Sequence, residues 1–176
     1  VEEESIGGQG KSIRRKSVAK GSIENVITVL RSMGVPADKY DIHVNFPGGV
    51  PIDGPSAGIA MATGIYSAIY KIPADHTVAM TGEISIHGNV KPIGGVYPKV
   101  KAALKAGAKR VIIPKDNVQS ILQEIKGIDI VPVSHLSEVF DLALVREEID
   151  KDEIISSVAE SIFSNSTENI DKKESV

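Results

Sequence analysis

The chain has 176 residues, 41% of them hydrophobic, which suits one main domain with a sizeable core. Its formal net charge of −3 is too small to indicate a nucleic-acid partner, and the absence of cysteine excludes disulfides, thiolate metal sites and a cysteine nucleophile. Since no apolar run reaches membrane-spanning length and residues 1–4 lack the basic start of a signal peptide, the cytoplasm is the expected compartment.

The first third of the chain predicts a polar arm, a helix and a strand. Residues 1–17 are polar and basic, and we interpret them as a solvated arm or an incomplete first strand. Apolar residues at i, i+3, i+4 and i+7 then predict a surface helix that begins near Ser22 and ends at Gly34. Alternating apolar and polar residues over 40–46 predict a half-buried strand that leads into a glycine-rich loop.

That loop, residues 48–58, presents a single serine, Ser56, where a long apolar helix begins. Glycine allows tight bends and close approach of a ligand, and Pro55 fixes the backbone just before the serine. The nearly all-round apolar run 57–70 predicts a buried helix of about 4 turns. Its start would direct backbone N–H groups at an oxyanion or a phosphate beside the serine. An alternative is that Ser56 only caps the helix.

A second informative stretch covers residues 81–99. It follows an apolar strand over 77–80 and predicts a strand, a tight hairpin, a second strand, a glycine turn and then a helix over 96–106. Antiparallel pairing is therefore expected at the hairpin.

The rest of the chain continues to alternate strands and helices. Residues 111–113 predict a buried strand and residues 128–133 the next strand, with a helix between them that ends at Gly127. Residues 136–145 predict the last core helix, capped by Ser134. We therefore expect an α+β domain over residues 18–146, with helices on a mixed sheet and a β-hairpin. The acidic, serine-rich residues 147–176 predict a largely disordered tail.

Residues 48–58 and 81–99 together resemble the proteolytic domain of Lon proteases, and the resemblance covers residues 18–146. In that family the serine of a Pro-Lys-Asp-Gly-Pro-Ser-Ala-Gly-like segment is the nucleophile, and a lysine after a Pro-(Ile/Val)-Gly-Gly segment is its general base. The resemblance implies that Ser56 is the nucleophile and Lys99 the base, and that the Thr81 hydroxyl holds the lysine amine. It also implies the Lon proteolytic fold, which is similar to the second domain of ribosomal protein S5.

The chemistry of a serine nucleophile requires a base, and none of the four histidines lies at an obvious base position. A lysine can act as the base only when burial lowers its pKa towards neutrality. Lys99 meets this condition in the sequence, because it lies in the first turn of a predicted helix among apolar neighbours. The alternative is an ordinary exposed helix lysine, like Lys101 or Lys105.

The oxyanion that forms on the substrate carbonyl is expected to accept hydrogen bonds from the backbone N–H of Ser56 and from that of Asp53 or Gly54. The Asp53 side chain has two interpretations: it stabilises its own turn, or it reaches Lys99. A carboxylate there would raise the lysine pKa, so such an ion pair would mark a resting form. Ile52 stands where the family usually has lysine, at a position that is not catalytic. No metal site is expected.

No phosphate-binding loop occurs in the chain, and we expect no cofactor in this domain. The resemblance implies an upstream AAA+ ATPase module that uses ATP and Mg, a hexameric ring of identical chains and unfolded polypeptide substrates. Some archaeal members carry a membrane anchor, which leaves open an anchored full-length protein with this domain on the cytoplasmic side.

Two other functions compete with proteolysis. The superfamily of galactokinase, homoserine kinase and mevalonate kinase also places a serine-containing loop at a helix start, to bind phosphates. Pro55 argues against this kinase function, because it lacks one of the N–H donors that a phosphate needs. A non-catalytic Lon-like domain for ring assembly or DNA binding is the other alternative, and the joint presence of Ser56, Thr81 and Lys99 argues against it.

Overall fold

The computed structural model describes residues 5–6, 13–14, 18–46 and 54–145, and the predictions for Ile52, Asp53 and residues 147–176 lie outside them. The helices are α1 (Val18–Ser32), α2 (Gly58–Tyr70), α3 (Val96–Lys105) and α4 (Leu136–Ala143). The strands are β1 (Ser5–Ile6), β2 (Ile13–Arg14), β3 (Val78–Met80), β4 (Glu83–Ile84), β5 (Val90–Lys91), β6 (Arg110–Pro114) and β7 (Asp129–Val133).

Three of these strands form a parallel sheet in the order β3-β6-β7, so β6 lies in the middle. β4 and β5 form an antiparallel hairpin in which Ile84 is opposite Val90, and β1 and β2 form a separate antiparallel pair. This arrangement confirms the predicted α+β class with a β-hairpin. In the described part of the chain, no helix has both the length and the apolar character that a bilayer crossing requires.

The central strand β6 is buried on both faces, as is typical of a parallel sheet covered by helices. Ile112 belongs to the larger core cluster, which includes buried residues of α1, α2 and α4. Val111 and Ile113 point the other way and pack against α3. The helices therefore cover both faces of the sheet, and the turn after β3 lies between α2 and α3.

The predicted strand over residues 40–46 is wrong. Ile42 and Val44 are half-buried against the core while Asp41, His43 and Asn45 are exposed, so the alternation is present in the structure. No described strand pairs with this segment. Alternating burial here results from packing against the core and not from a ladder of backbone hydrogen bonds, which the sequence pattern alone cannot distinguish.

The helix boundaries need three corrections. Helix α1 begins at Val18, so Ser22 lies inside it and does not mark its start. Residues 120–124 form a 3-10 helix where an α-helix is predicted. The cap of α4 is His135 and not Ser134, because the His135 ring accepts a hydrogen bond from the Ser137 N–H while the Glu138 carboxylate accepts one from the His135 N–H.

Gly82, directly before β4, occupies a position where a side chain does not fit. A Cβ added there would lie 2.9 Å from Cγ1 of Val90 and 3.2 Å from Cδ1 of Ile59. We expect Gly82→Ala to lower the free energy of unfolding by about 1–3 kcal/mol, as overpacking does. In contrast, Gly64→Ala in α2 should raise it by about 0.5–1 kcal/mol, because a Cβ there meets nothing and alanine favours the helix. Urea unfolding measures both, and a Gly82→Ala variant as stable as the original chain would contradict the close packing.

Candidate active site

Ser56 lies in a 3-10 turn, Pro55–Ala57, that leads directly into α2. Proline suits the first position of such a turn, because its missing N–H would have no partner inside the turn. The residue that caps α2 is Ala57, and neither the turn nor the helix has a hydrogen bond from a capping side chain. The alternative that Ser56 only caps the core helix is therefore wrong, and its side chain is not used to begin that helix.

The backbone of Ser56 is fixed to the turn between β3 and β4. Its carbonyl oxygen accepts hydrogen bonds from the Gly82 N–H at 2.9 Å and from the Thr81 hydroxyl at 3.2 Å. The Ile59 N–H in turn donates to the Gly82 carbonyl at 3.2 Å. Glycine at position 58 permits this approach, since a Cβ there would lie 3.0 Å from the backbone nitrogen of Ile84. The serine is thus held in a defined position by a neighbouring element.

Lys99 reaches the same place from α3. It is the fourth residue of that helix, whose cap, Gly95, has a left-handed backbone with φ 69°. The Lys99 Nζ donates to the Thr81 hydroxyl oxygen at 3.4 Å. The Thr81 side chain, in a residue only 8% exposed, therefore contacts both the lysine amine and the backbone of Ser56.

Burial lowers the pKa of Lys99 from its ordinary value, because a charged ammonium loses hydration when it leaves water. A lower pKa increases the fraction of neutral amine near neutral pH, and only the neutral amine accepts a proton. The direction of this shift is the one that a lysine base needs.

Three of the residues singled out in the sequence thus lie at one place in the structure, where the Thr81 hydroxyl connects the Lys99 amine to the backbone carbonyl of Ser56. Gly54 lies just before the serine turn with an extended backbone, whereas Asp53 lies outside the described residues. Gly82 was not predicted as part of the site, although a glycine after the strand threonine is a signal for close backbone approach. Within the described ranges, no group of three or more acidic, histidine or cysteine side chains could hold a metal ion.

The sequence matches the family described as Lon protease (S16) C-terminal proteolytic domain over residues 4–146. It is 69% identical over 145 residues to Lon protease 2 of Bacillus subtilis (strain 168), a match that covers 82% of this chain and 26% of the relative. It is 44% identical over 160 residues to Lon protease of Buchnera aphidicola subsp. Baizongia pistaciae (strain Bp), a match that covers 82% of this chain and 20% of the relative. It is 40% identical over 150 residues to Archaeal Lon protease of Pyrococcus abyssi (strain GE5 / Orsay), a match that covers 82% of this chain and 15% of the relative.

The chain therefore spans between 15% and 26% of the length of these three relatives. The family match includes both stretches on which the sequence resemblance depends, residues 48–58 and 81–99. It also begins before α1 and ends just after α4. The chain belongs to the family of the Lon protease (S16) C-terminal proteolytic domain.

Proposed function

We propose that this chain is the serine endopeptidase domain of an ATP-dependent, Lon-like protease that degrades unfolded or damaged proteins. Ser56 is the nucleophile and Lys99 the general base. The observation that carries the proposal is the Thr81 hydroxyl, which accepts a hydrogen bond from the Lys99 amine and donates one to the Ser56 carbonyl. Family membership supports the same assignment of activity.

The reaction has two halves. In the first, the Ser56 hydroxyl attacks a peptide carbonyl while its proton passes to the neutral Lys99 amine. The oxyanion accepts hydrogen bonds from the backbone N–H groups of Ser56 and of Gly54 or Asp53. As the intermediate collapses, the Lys99 ammonium gives its proton to the leaving amine, and an ester to Ser56 remains. In the second half, water attacks the ester carbonyl while Lys99 takes one of its protons. The Lys99 ammonium then returns a proton to the departing Ser56 oxygen, which regenerates the serine hydroxyl and the neutral amine as the acid product leaves.

The relatives' greater length supports a longer protein around this chain. We propose that an AAA+ ATPase module, with its ATP and Mg, unfolds substrates and delivers them to Ser56. Identical chains would assemble into a hexameric ring that encloses the serines. No residue of this chain is assigned to ATP or Mg.

Thr81 is proposed as a positioning residue, since its hydroxyl contacts the Lys99 amine and the Ser56 backbone. Thr81→Val removes both hydrogen bonds and keeps the shape, so we expect kcat to fall by about 10²-fold with KM little changed, as small misplacements of catalytic groups do. Thr81→Ser keeps the hydroxyl and should retain activity within about threefold. Equal activities of the valine and serine variants would contradict a role for the hydroxyl.

The full-length protein tests the proposal most directly. With ATP present it should convert an unfolded protein to peptides, and a fluorophosphonate should label Ser56, as mass spectrometry of the digested protein would report. Absence of hydrolysis and labelling, with retention on DNA, would instead favour the non-catalytic alternative. ATP-dependent phosphorylation of a small molecule, which Ser56→Ala abolishes, would favour the kinase alternative.

A further inference from the structure

A groove of about 360 Å³ lies beside the serine turn, between that turn and α1. Gly21, Ser22 and Asn25 of α1 form one wall, and Pro55 and Glu83 lie opposite. Because the lining residue Pro55 is bonded directly to Ser56, the groove lies within one residue of the proposed nucleophile. The position of the groove therefore suits a stretch of bound substrate.

The wall of this groove is held in place by a buried polar side chain. Ser22 is 5% exposed, and its hydroxyl donates to the Pro55 carbonyl at 3.5 Å. This contact connects α1 to the residue before the nucleophile. Ser22 was predicted near the start of a helix, with no role in the site.

Gly21 is difficult to explain by folding alone. It lies inside α1, where glycine costs about 1 kcal/mol relative to alanine. Its φ is not positive, and a Cβ added there would meet no atom within 4 Å. Neither backbone conformation nor packing requires glycine at this position in the part of the chain that the structure describes. The missing side chain does keep the groove open.

The polar groups of the groove suit a particular substrate side chain. Asn25 and Glu83 are among its lining residues, and no lysine or arginine is among the described ones. Main-chain amides of an extended polypeptide can hydrogen-bond to amide and carboxylate side chains, and a basic side chain complements the carboxylate of Glu83. An acidic side chain would be repelled.

We infer that this groove binds the stretch of substrate polypeptide adjacent to the scissile bond and prefers a lysine or arginine there, with Glu83 as a specificity-determining residue. The inference rests on the proposed function, since it needs Ser56 to be the nucleophile. It adds a binding site and a preferred side chain to that function.

The test is to fill the groove without touching Ser56. In the full-length protein, Gly21→Leu should lower kcat/KM for an internally quenched peptide by at least about tenfold, as loss of substrate positioning does. Labelling of Ser56 by a small fluorophosphonate, which needs no groove, should change less than about twofold. Gly64→Leu is the matched control, because Gly64 also lies inside a helix, and a Cβ there also meets nothing within 4 Å. It should leave both reactions unchanged.

Glu83→Gln tests the charge preference with a second readout. The original protein should cleave a lysine-containing peptide faster than its glutamate counterpart, and Glu83→Gln should reduce that ratio by about two- to fivefold, as expected for one partly exposed ion pair. An unchanged ratio overturns the preference for a basic side chain.

The groove is overturned as a separate site if Gly21→Leu cleaves the peptide as fast as Gly64→Leu does. It is also overturned if Gly21→Leu loses peptide cleavage and Ser56 labelling to the same extent. Failure of the proposed function would differ, because the original protein would then neither cleave nor label.

Discussion

Ser56→Ala is expected to lower kcat for peptide hydrolysis by at least about 10⁴-fold, because the variant lacks the proposed nucleophilic oxygen. Its stability should change by no more than about 0.5 kcal/mol, since the contacts that hold Ser56 use its backbone carbonyl and its side chain caps no helix. Hydrolysis of a fluorogenic peptide and urea unfolding measure the two effects.

Ser67→Ala, in the helix α2 that follows the serine turn, is the matched control. The Ser67 hydroxyl donates to the Ile72 carbonyl at 2.6 Å, near the end of α2 and away from the serine turn. Its removal should lower the free energy of unfolding by about 1 kcal/mol and leave kcat unchanged. The two serines thus have opposite expected effects on activity and stability. Substantial hydrolysis by Ser56→Ala would contradict the assignment of the nucleophile.

Lys99→Met is expected to lower kcat by at least about 10³-fold, because Lys99 is the only basic side chain among the described residues that hydrogen-bonds to Thr81.

The stability of the Lys99→Met variant at neutral pH should be equal to that of the original protein or higher. Burial lowers the pKa of Lys99 in the folded state, so between the folded and unfolded pKa values the unfolded chain binds more protons. The original protein should therefore become more stable as pH rises through that window, and Lys99→Met should lose this contribution.

Lys101→Met is the control for the loss of a lysine from the same helix. Lys101 is exposed, and its Nζ lies 5.5 Å from the centre of the Tyr97 ring, which makes a surface cation–π contact. We expect the kcat of Lys101→Met to match that of the original protein. A Lys99→Met variant that retains activity comparable to that of Lys101→Met would show that Lys99 is not the base.

Residues that the sequence motifs singled out lie close together in the structure, whereas several predicted element boundaries needed correction. Ser56, Thr81 and Lys99 stand in long local motifs, and the structure brings them together through hydrogen bonds. The β4–β5 hairpin was predictable for the same reason, because pairing across a short turn depends on nearby residues.

Features that depend on distant contacts were not predictable. Alternating apolar and polar residues over 40–46 indicated a strand. A strand also needs a neighbouring strand to pair with, and the alternation does not specify one. Ser22 has the residue type of a cap, yet its hydroxyl is directed at Pro55, 33 positions away. His135 caps α4 through a ring nitrogen, which is not among the side chains usually preferred at that position. The resting-form hypothesis for Asp53 stays a prediction.

The pH dependence of Ser56 acylation tests the central claim most directly, namely that a partly buried, neutral Lys99 amine activates the serine. The rate of fluorophosphonate labelling should rise with pH through an apparent pKa below that of an ordinary lysine, and Lys99→Met should lose both the rise and most of the rate. A rate in the original protein that does not depend on pH, or a Lys99→Met variant with the same profile, would contradict the account.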